Sequence, residues 1–164
     1  MGKRIKRVLM QTFIGLSGVL IVVVLVQAAL SPWYLFGLNI DNSLPGYVSV
    51  VIRDEQPARL DIAAFRTPPN PYYPAGAPFI KVVLGVPGDK VSRSGREFFI
   101  NGVPVGHAKE HTRHGFPLTP GPTGMLPSDN YFFWTPNIDS YDSRYGEFGW
   151  ITSDRILGRA MRLL

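Results

Sequence analysis

Residues 79–89 read Phe-Ile-Lys-Val-Val-Leu-Gly-Val-Pro-Gly-Asp, a nearly continuous apolar run that ends in a turn. Its length and its β-branched residues predict a buried strand from Phe79 to Val86, closed by the Pro-Gly turn. Strand alternation places Lys81 on the same face as Phe79 and Val83. The chemistry of this segment therefore depends on where in a sheet the strand lies.

Lys81 fits two interpretations. One is an edge strand, on which an exposed lysine prevents pairing with other chains. The other is a lysine buried among apolar neighbours, whose pKa falls because burial disfavours the ammonium form. Such an amine can act as a general base near neutral pH. Taken alone, the strand favours the edge interpretation.

Short apolar runs separated by turns continue on both sides of this strand. The chain contains 17 glycines and 15 prolines, a composition that favours many turns. Residues 67–74 are too rich in proline for regular structure and are predicted to form an exposed loop. Further strands are predicted at 47–52, 97–100, 103–105, 131–134 and 155–163, with Asn101-Gly102 as a hairpin turn. The sequence thus predicts a mostly β fold, a single antiparallel domain preceded by one N-terminal transmembrane helix.

The N-terminal region predicts that transmembrane helix. Residues 8–30 carry no charge and would span roughly 35 Å as a helix, enough to cross a hydrocarbon core of about 30 Å. The basic residues of segment 1–7 are expected to stay in the cytoplasm, which places residues 31–164 outside the inner membrane. A cleavable signal peptide, with Val26 and Ala28 before the cut, is the alternative, but its apolar core would be unusually long.

Charge and composition exclude several classes of function. The 164 residues have a net charge of +5, and four of the basic residues lie within the first seven positions. Because that distribution suits a membrane-flanking cluster, no nucleic-acid partner is expected. The absence of cysteine excludes disulfides, a thiol nucleophile and cysteine-based metal sites. A covalent nucleophile would have to be a hydroxyl, an amine or a carboxylate.

Two polar segments contain residues that could do chemistry. Ser43 lies in the turn Asn39–Gly46, and a serine in such a turn usually bonds to nearby backbone. Residues 139–146 read Asp-Ser-Tyr-Asp-Ser-Arg-Tyr-Gly. In this segment Asp142 and Arg144 could form a bidentate ion pair that braces a loop. The alternative is a solvated turn with an incidental ion pair.

Together these segments resemble the type I signal peptidases. Residues 81–89 are similar to that family's lysine-containing block, 140–146 to its last block and 150–160 to its closing strand. The order of serine, lysine and a final Ser-x-Asp-Ser-Arg is also kept. With one residue between serine and proline in Ser43-Leu44-Pro45, the chain looks most like the conjugative-transfer, TraF-type branch.

The resemblance implies a signal-peptidase-like antiparallel β domain and a Ser/Lys catalytic dyad. Carried over by position, Ser43 would be the nucleophile and Lys81 the general base. Ser140 would hold the lysine amine in line, and Asp142 with Arg144 would brace the site.

One position departs from the family pattern. Two residues before the nucleophile the family usually has serine or threonine, whose hydroxyl helps to form the oxyanion hole. This chain has Asp41, and an ionised carboxylate has no proton to donate. Either Asn42 or Asn39 donates instead, or Asp41 is protonated. Otherwise the Ser43 N–H acts alone, at a cost of about 10²–10³ in rate.

The activity that the resemblance implies is that of a single-pass inner-membrane serine endopeptidase whose domain is periplasmic or extracellular. Its expected partners are the lipid bilayer and an exported precursor, a signal-peptide or prepilin substrate, and it needs no cofactor. The precursor would be hydrolysed or closed into a ring. Two other functions stay open: a general signal peptidase acting on secretory proteins, and a non-catalytic subunit of a secretion or pilus assembly. Asp41 favours the last of these.

A histidine-rich segment between the family-like blocks invites a metal interpretation. Its spacing suits one face of a helix, but Gly106, Gly115 and Pro117 bound it tightly. A solvated loop without a metal is therefore predicted for the four residues concerned, His107, Glu110, His111 and His114.

Overall fold

The computed structural model describes residues 2–38 and 48–162. The chain divides into two compact units, Met1–Tyr34 and Leu35–Leu164. The first contains helix α1, Gly2–Leu30, which includes one span, Lys6–Leu30, long and apolar enough to cross a membrane. The turn that ends this helix begins at Ser31, whose hydroxyl donates a hydrogen bond to the Ala28 carbonyl, 2.8 Å away. The apolar N-terminal helix expected from the sequence is confirmed.

The remainder is built from short strands. In chain order they are β1 (Tyr34–Leu38), β2 (Val48–Arg53), β3 (Ile62–Arg66), β4 (Pro78–Gly85), β5 (Lys90–Ser94), β6 (Glu97–Ile100), β7 (Val103–His107), β8 (Gly124–Met125), β9 (Asn130–Trp134), β10 (Ile151–Thr152) and β11 (Ile156–Arg162). A 3₁₀ turn, Ser153–Arg155, precedes β11. The mostly β fold is therefore confirmed.

Two sheets arise from these strands within the described residues. One has seven strands in the order β1-β2-β11-β3-β4-β9-β10, and the other has four in the order β7-β6-β5-β8. The pairs that join β3 to β4 and β4 to β9 are antiparallel. Strand β4 therefore lies inside the larger sheet, with a neighbour on each side.

Alternation along the strands separates two apolar clusters. Phe65 and Val83 belong to the larger cluster, which also contains Phe98, Phe132, Phe133 and Tyr145. Ala64, one residue from Phe65, belongs instead to a smaller cluster on the other face. Because side chains alternate across a strand, Lys81 shares the face of the larger cluster with Val83.

Several sequence predictions can be compared with these strands. The structure confirms the strands predicted at 47–52, 79–86 and 131–134, with ends that differ by one or two residues. It also confirms the hairpin at Asn101-Gly102. The last predicted strand begins at Ile156 instead of Arg155, because the 3₁₀ turn occupies that residue. Strands β1, β3, β5, β8 and β10 were not predicted. The edge-strand interpretation of Lys81 is wrong, because β4 is paired on both sides.

The turn after β4 is held by the carboxylate of Asp89, which is 6% exposed. One oxygen accepts hydrogen bonds from Arg59 Nη2 at 2.6 Å and Asn101 Nδ2 at 2.8 Å. The other accepts from the Val86 N–H at 2.8 Å. Burial by itself would raise the pKa of Asp89, but these hydrogen bonds and the charge of Arg59 hold the pKa below its usual value.

Replacement of Asp89 by asparagine should lower the free energy of unfolding at neutral pH by about 1–2 kcal/mol. The folded-state pKa is depressed, so this stabilisation is present above the usual aspartate pKa of about 3.9 and is lost as pH falls through the lower folded value. Chemical unfolding of the full chain in detergent, at neutral pH and near pH 3, measures the difference. The difference in unfolding free energy between wild type and Asp89→Asn should be smaller near pH 3 than at neutral pH. The exposed Asp154→Asn variant is the control, and equal losses in both variants would contradict the role of Asp89.

Candidate active site

Lys81 is a buried cation-forming side chain within an apolar sheet. It is 2% exposed, and it lies opposite Ala63 of the neighbouring strand, which is itself fully buried. Its amine lies 5.3 Å from the centre of the Phe79 ring. Removal of an ammonium group from water is costly, so this environment favours the neutral amine.

Ser140 meets this amine from the loop that follows β9. Lys81 Nζ and Ser140 Oγ are 2.7 Å apart and hydrogen-bonded, and Ser140 is 3% exposed. Asn137 shapes the loop, because its side-chain oxygen accepts from the Asp139 N–H and its carbonyl accepts from the Ser140 N–H. The hydroxyl is thus held by a turn of the backbone next to the lysine.

Asp142 and Arg144 form a buried bidentate ion pair two residues further along. Arg144 Nε and Nη2 each donate to one carboxylate oxygen of Asp142 at 2.8 Å. The Asp142 side chain is 0% exposed and the Arg144 side chain is 3% exposed. Arg144 Nη1 also donates to the His107 carbonyl, which links the loop to β7. Burial alone would lower the pKa of Arg144, but Asp142 raises it above its ordinary value.

Ser143 attaches the same loop to the sheet. Its side-chain oxygen accepts from the Phe133 N–H at 3.0 Å, and its own N–H donates to the Phe133 carbonyl at 3.1 Å. Because Phe133 pairs with Val83 of β4, the loop is anchored close to the strand that carries Lys81. Sequence reasoning did not identify this contribution of Ser143.

The structure brings four of the predicted site residues into one region, namely Lys81, Ser140, Asp142 and Arg144. The predicted nucleophile Ser43 and the oxyanion candidates Asp41 and Asn42 lie outside the described residues.

Lys81 and Ser140 open onto a cleft of about 720 Å³. One part of its lining is aromatic, formed by Tyr72, Tyr73, Phe79, Phe116, Tyr141 and Tyr145. Tyr72 and Tyr73 come from the proline-rich loop, and Tyr73 stacks on Tyr141 with ring centres 5.8 Å apart. The predicted exposed loop thus supplies a wall of the cleft.

Residues 109–117, here called the arm, form another part of the lining. Lys109 and Arg113 both donate to the carboxylate of Asp139, the residue before Ser140. These hydrogen bonds, with the two positive charges, hold the pKa of Asp139 below its usual value. Sequence reasoning missed this link, because the partners are 26 and 30 residues apart.

The residues of the metal interpretation lie in or beside the arm. His107 ends β7, and a β-bridge joins His111 to Pro117. His107, Glu110, His111 and His114 are all exposed. No group of three or more potential metal-ligating side chains occurs within residues 2–38 and 48–162.

The arrangement of Lys81, Ser140 and the Asp142–Arg144 pair can support proton transfer. A buried amine is hydrogen-bonded to a neighbouring hydroxyl, and the loop that carries the hydroxyl contains a buried ion pair. An amine that is neutral at working pH can take a proton from an attacking group within hydrogen-bond reach.

Comparisons with known proteins place the chain in a family. The family model described as "Signal peptidase, peptidase S26" matches residues 6–164. A Sinorhizobium fredii protein named "Probable conjugal transfer protein TraF" is 31% identical over 147 residues, which cover 79% of this chain and 77% of that protein. The crystal structure of a signal peptidase I from Enterococcus faecalis is 27% identical and covers 64% of this chain and 97% of that one, with a TM-score of 0.43. The chain therefore belongs to the S26 signal peptidases, serine peptidases that process exported proteins.

Proposed function

We propose that this protein is a membrane-anchored endopeptidase in which Ser43 attacks the peptide bond and Lys81 is its general base. The observation that carries the proposal is the buried Lys81 amine, hydrogen-bonded to Ser140 at the lining of a cleft in an S26 peptidase chain. A lysine without a functional role is rarely retained inside a sheet, because its burial is costly.

The proposed reaction begins with transfer of the Ser43 hydroxyl proton to the neutral Lys81 amine. The Ser43 oxygen bonds to the substrate carbonyl carbon, and the resulting tetrahedral intermediate collapses to an acyl-enzyme as the amine product leaves with a proton from Lys81. Ser140 keeps the Lys81 amine in line, and the Asp142–Arg144 pair fixes the loop that carries Ser140. The Ser43 N–H and a donor near Asp41 or Asn42 would stabilise the oxyanion.

We further propose that residues 1–7 lie in the cytoplasm, 8–30 anchor the protein in the inner membrane and 31–164 form the peptidase domain on its outer side. The span of α1 and the basic residues before it support this arrangement. Ser43 follows the helix by only about a dozen residues in the sequence, so the anchor would hold it close to where the processed ends of exported precursors emerge.

The substrate that we propose is a precursor from conjugative transfer, a prepilin in particular. The support is the resemblance of Ser43-Leu44-Pro45 to the TraF-type branch and the name of the Sinorhizobium relative. Water would resolve the acyl-enzyme by hydrolysis, whereas an amine of the substrate itself would close a ring. The two products differ in mass by one water molecule.

Mass spectrometry of a candidate prepilin co-expressed with the wild-type chain or with the Ser43→Ala variant tests the proposal. Processing is expected with the wild type and none with the variant. Processing of many secretory precursors would instead indicate a general signal peptidase. Pilus function that persists with both Ser43→Ala and Lys81→Ala would indicate a non-catalytic subunit and would contradict the proposal.

A further inference from the structure

The arm has a fixed shape built by its own hydrogen bonds. The Thr112 N–H donates to the Phe116 carbonyl at 2.8 Å, and the Thr112 hydroxyl oxygen accepts from the N–H groups of His114 and Phe116. The bridge between His111 and Pro117 closes the same loop. The side chains of the arm are therefore presented to the cleft by an ordered turn.

The arm makes its side of the cleft basic. Lys109, His111, Arg113 and His114 all line the cleft. Among the described residues of the lining, the one acidic side chain is Asp139, whose two oxygens are already bound by Lys109 and Arg113. Lys109 and Arg113 carry two positive charges against the single negative charge of Asp139, so these three side chains give the lining an excess of one positive charge.

Arg113 is the cation best placed to bind a further carboxylate. Its side chain is 68% exposed, and it donates to Asp139 through Nη2 at 2.8 Å. A guanidinium has five N–H donors in a planar fork, and that fork suits a second carboxylate. Lys109 is less available, because its side chain is 33% exposed and also binds Asp139.

We infer that the arm selects precursors with an acidic side chain near the scissile bond, whose carboxylate binds Arg113. The neighbouring aromatic wall, with Tyr72 and Tyr73, would pack against apolar parts of the same extended segment. This inference rests on the proposed peptidase function and adds a substrate preference to it. Arg113 is then a residue that determines substrate specificity, and the proton transfer proposed for Lys81 does not depend on it.

Cleavage of synthetic peptides by the full-length protein in detergent tests the inference. Each peptide spans a processing site of the precursor and carries a single glutamate or glutamine at one position, scanned across both sides of the cut. At one position or more, the wild-type protein should cleave the glutamate peptide with a kcat/KM about fivefold higher than that for the matching glutamine peptide. Added salt should reduce the preference, because exposed charge pairs are screened.

Matched variants assign the preference to Arg113. Arg113→Gln should abolish it, Arg113→Lys should retain part of it, and Arg113→Glu should invert it toward a peptide with lysine at the same position. Arg93→Gln removes the same charge from an exposed arginine of β5 outside the cleft lining, and it should behave as wild type.

The outcomes separate this inference from the proposed function. Equal cleavage of glutamate and glutamine peptides at every position, or a preference unchanged in Arg113→Gln, would overturn the inference and leave the peptidase intact. Cleavage of none of the peptides, with wild type indistinguishable from Ser43→Ala, would contradict the proposed function, and the inference would fall with it.

Discussion

Replacement of Lys81 by methionine should lower the rate of precursor cleavage by about 10²–10⁴, the usual contribution of a general base. Methionine has a similar length and no charge, so it can occupy the buried site that Lys81 fills at 2% exposure. The fold should persist, because an apolar side chain avoids the cost of a buried amine. Precursor cleavage and the midpoint of thermal unfolding, measured on one preparation, distinguish loss of chemistry from loss of structure.

Lys90→Met is the matched control, since Lys90 is an exposed lysine on β5 outside the cleft lining. It should keep wild-type activity. Ser140→Ala should have a smaller effect than Lys81→Met, because in the proposed mechanism Ser140, which is hydrogen-bonded to the Lys81 amine, orients that amine and does not itself take the proton. An active Lys81→Met enzyme would exclude Lys81 as the base.

Replacement of Asp142 by alanine should lower the free energy of unfolding by about 3–5 kcal/mol. The variant leaves the Arg144 guanidinium, whose side chain is 3% exposed, without its counter-charge and without two of its acceptors. The carbonyls of His107 and Asn137 would remain as partners, but neither carries a charge. Chemical unfolding of the full chain, followed by near-UV circular dichroism, measures the loss.

A half-exposed ion pair at the surface provides the comparison. Glu55 and Arg159 are 3.0 Å apart, with side chains 40% and 32% exposed, so Glu55→Ala should cost no more than about 1 kcal/mol. The double variant Asp142→Ala/Arg144→Met should be less destabilised than Asp142→Ala alone, because it removes the unpaired charge. If Asp142→Ala costs no more than Glu55→Ala, the ion pair does not fix the loop.

Local sequence patterns were sufficient to predict the strands with strong apolar character. The run from Phe79 to Val86 and the Asn101-Gly102 turn both have signals that depend on neighbouring residues alone. Strand β5, Lys-Val-Ser-Arg-Ser, is too polar to show such a signal, and β8 and β10 have two residues each. Strand β5 forms by pairing with the more apolar β6, which follows it after a short turn. Strands β8 and β10 form because β5 and β9, which lie further away in the chain, pair with them.

The position of Lys81 within the sheet illustrates what sequence alone could not supply. Alternation correctly placed its side chain with Phe79 and Val83, but the strand looked like an edge. Strand β4 lies between β3 and β9, and β9 begins some 45 residues later in the chain. Long-range pairing of this kind has no local signature.

The candidate site was predicted from motifs, whereas its geometry depends on distant contacts. The partnership of Lys81 with Ser140 joins residues 59 apart. The arm was predicted to be a solvated loop, and its histidines are indeed exposed, but Asp139 attaches it to the loop of Ser140. Basic residues spaced along 109–114 were the available signal, and their significance depends on the cleft that they line.

The central claim, that the Lys81 amine lies against the Ser43 side chain and draws its proton, can be tested through a single thiol. Because the chain has no cysteine, a Ser43→Cys variant carries one thiol, and alkylation by iodoacetamide reports how readily that thiol ionises. We predict that alkylation near neutral pH is at least tenfold faster with Lys81 present than in Ser43→Cys/Lys81→Met, as for a cysteine beside a proton-accepting amine. Equal alkylation rates in the two proteins would contradict the account.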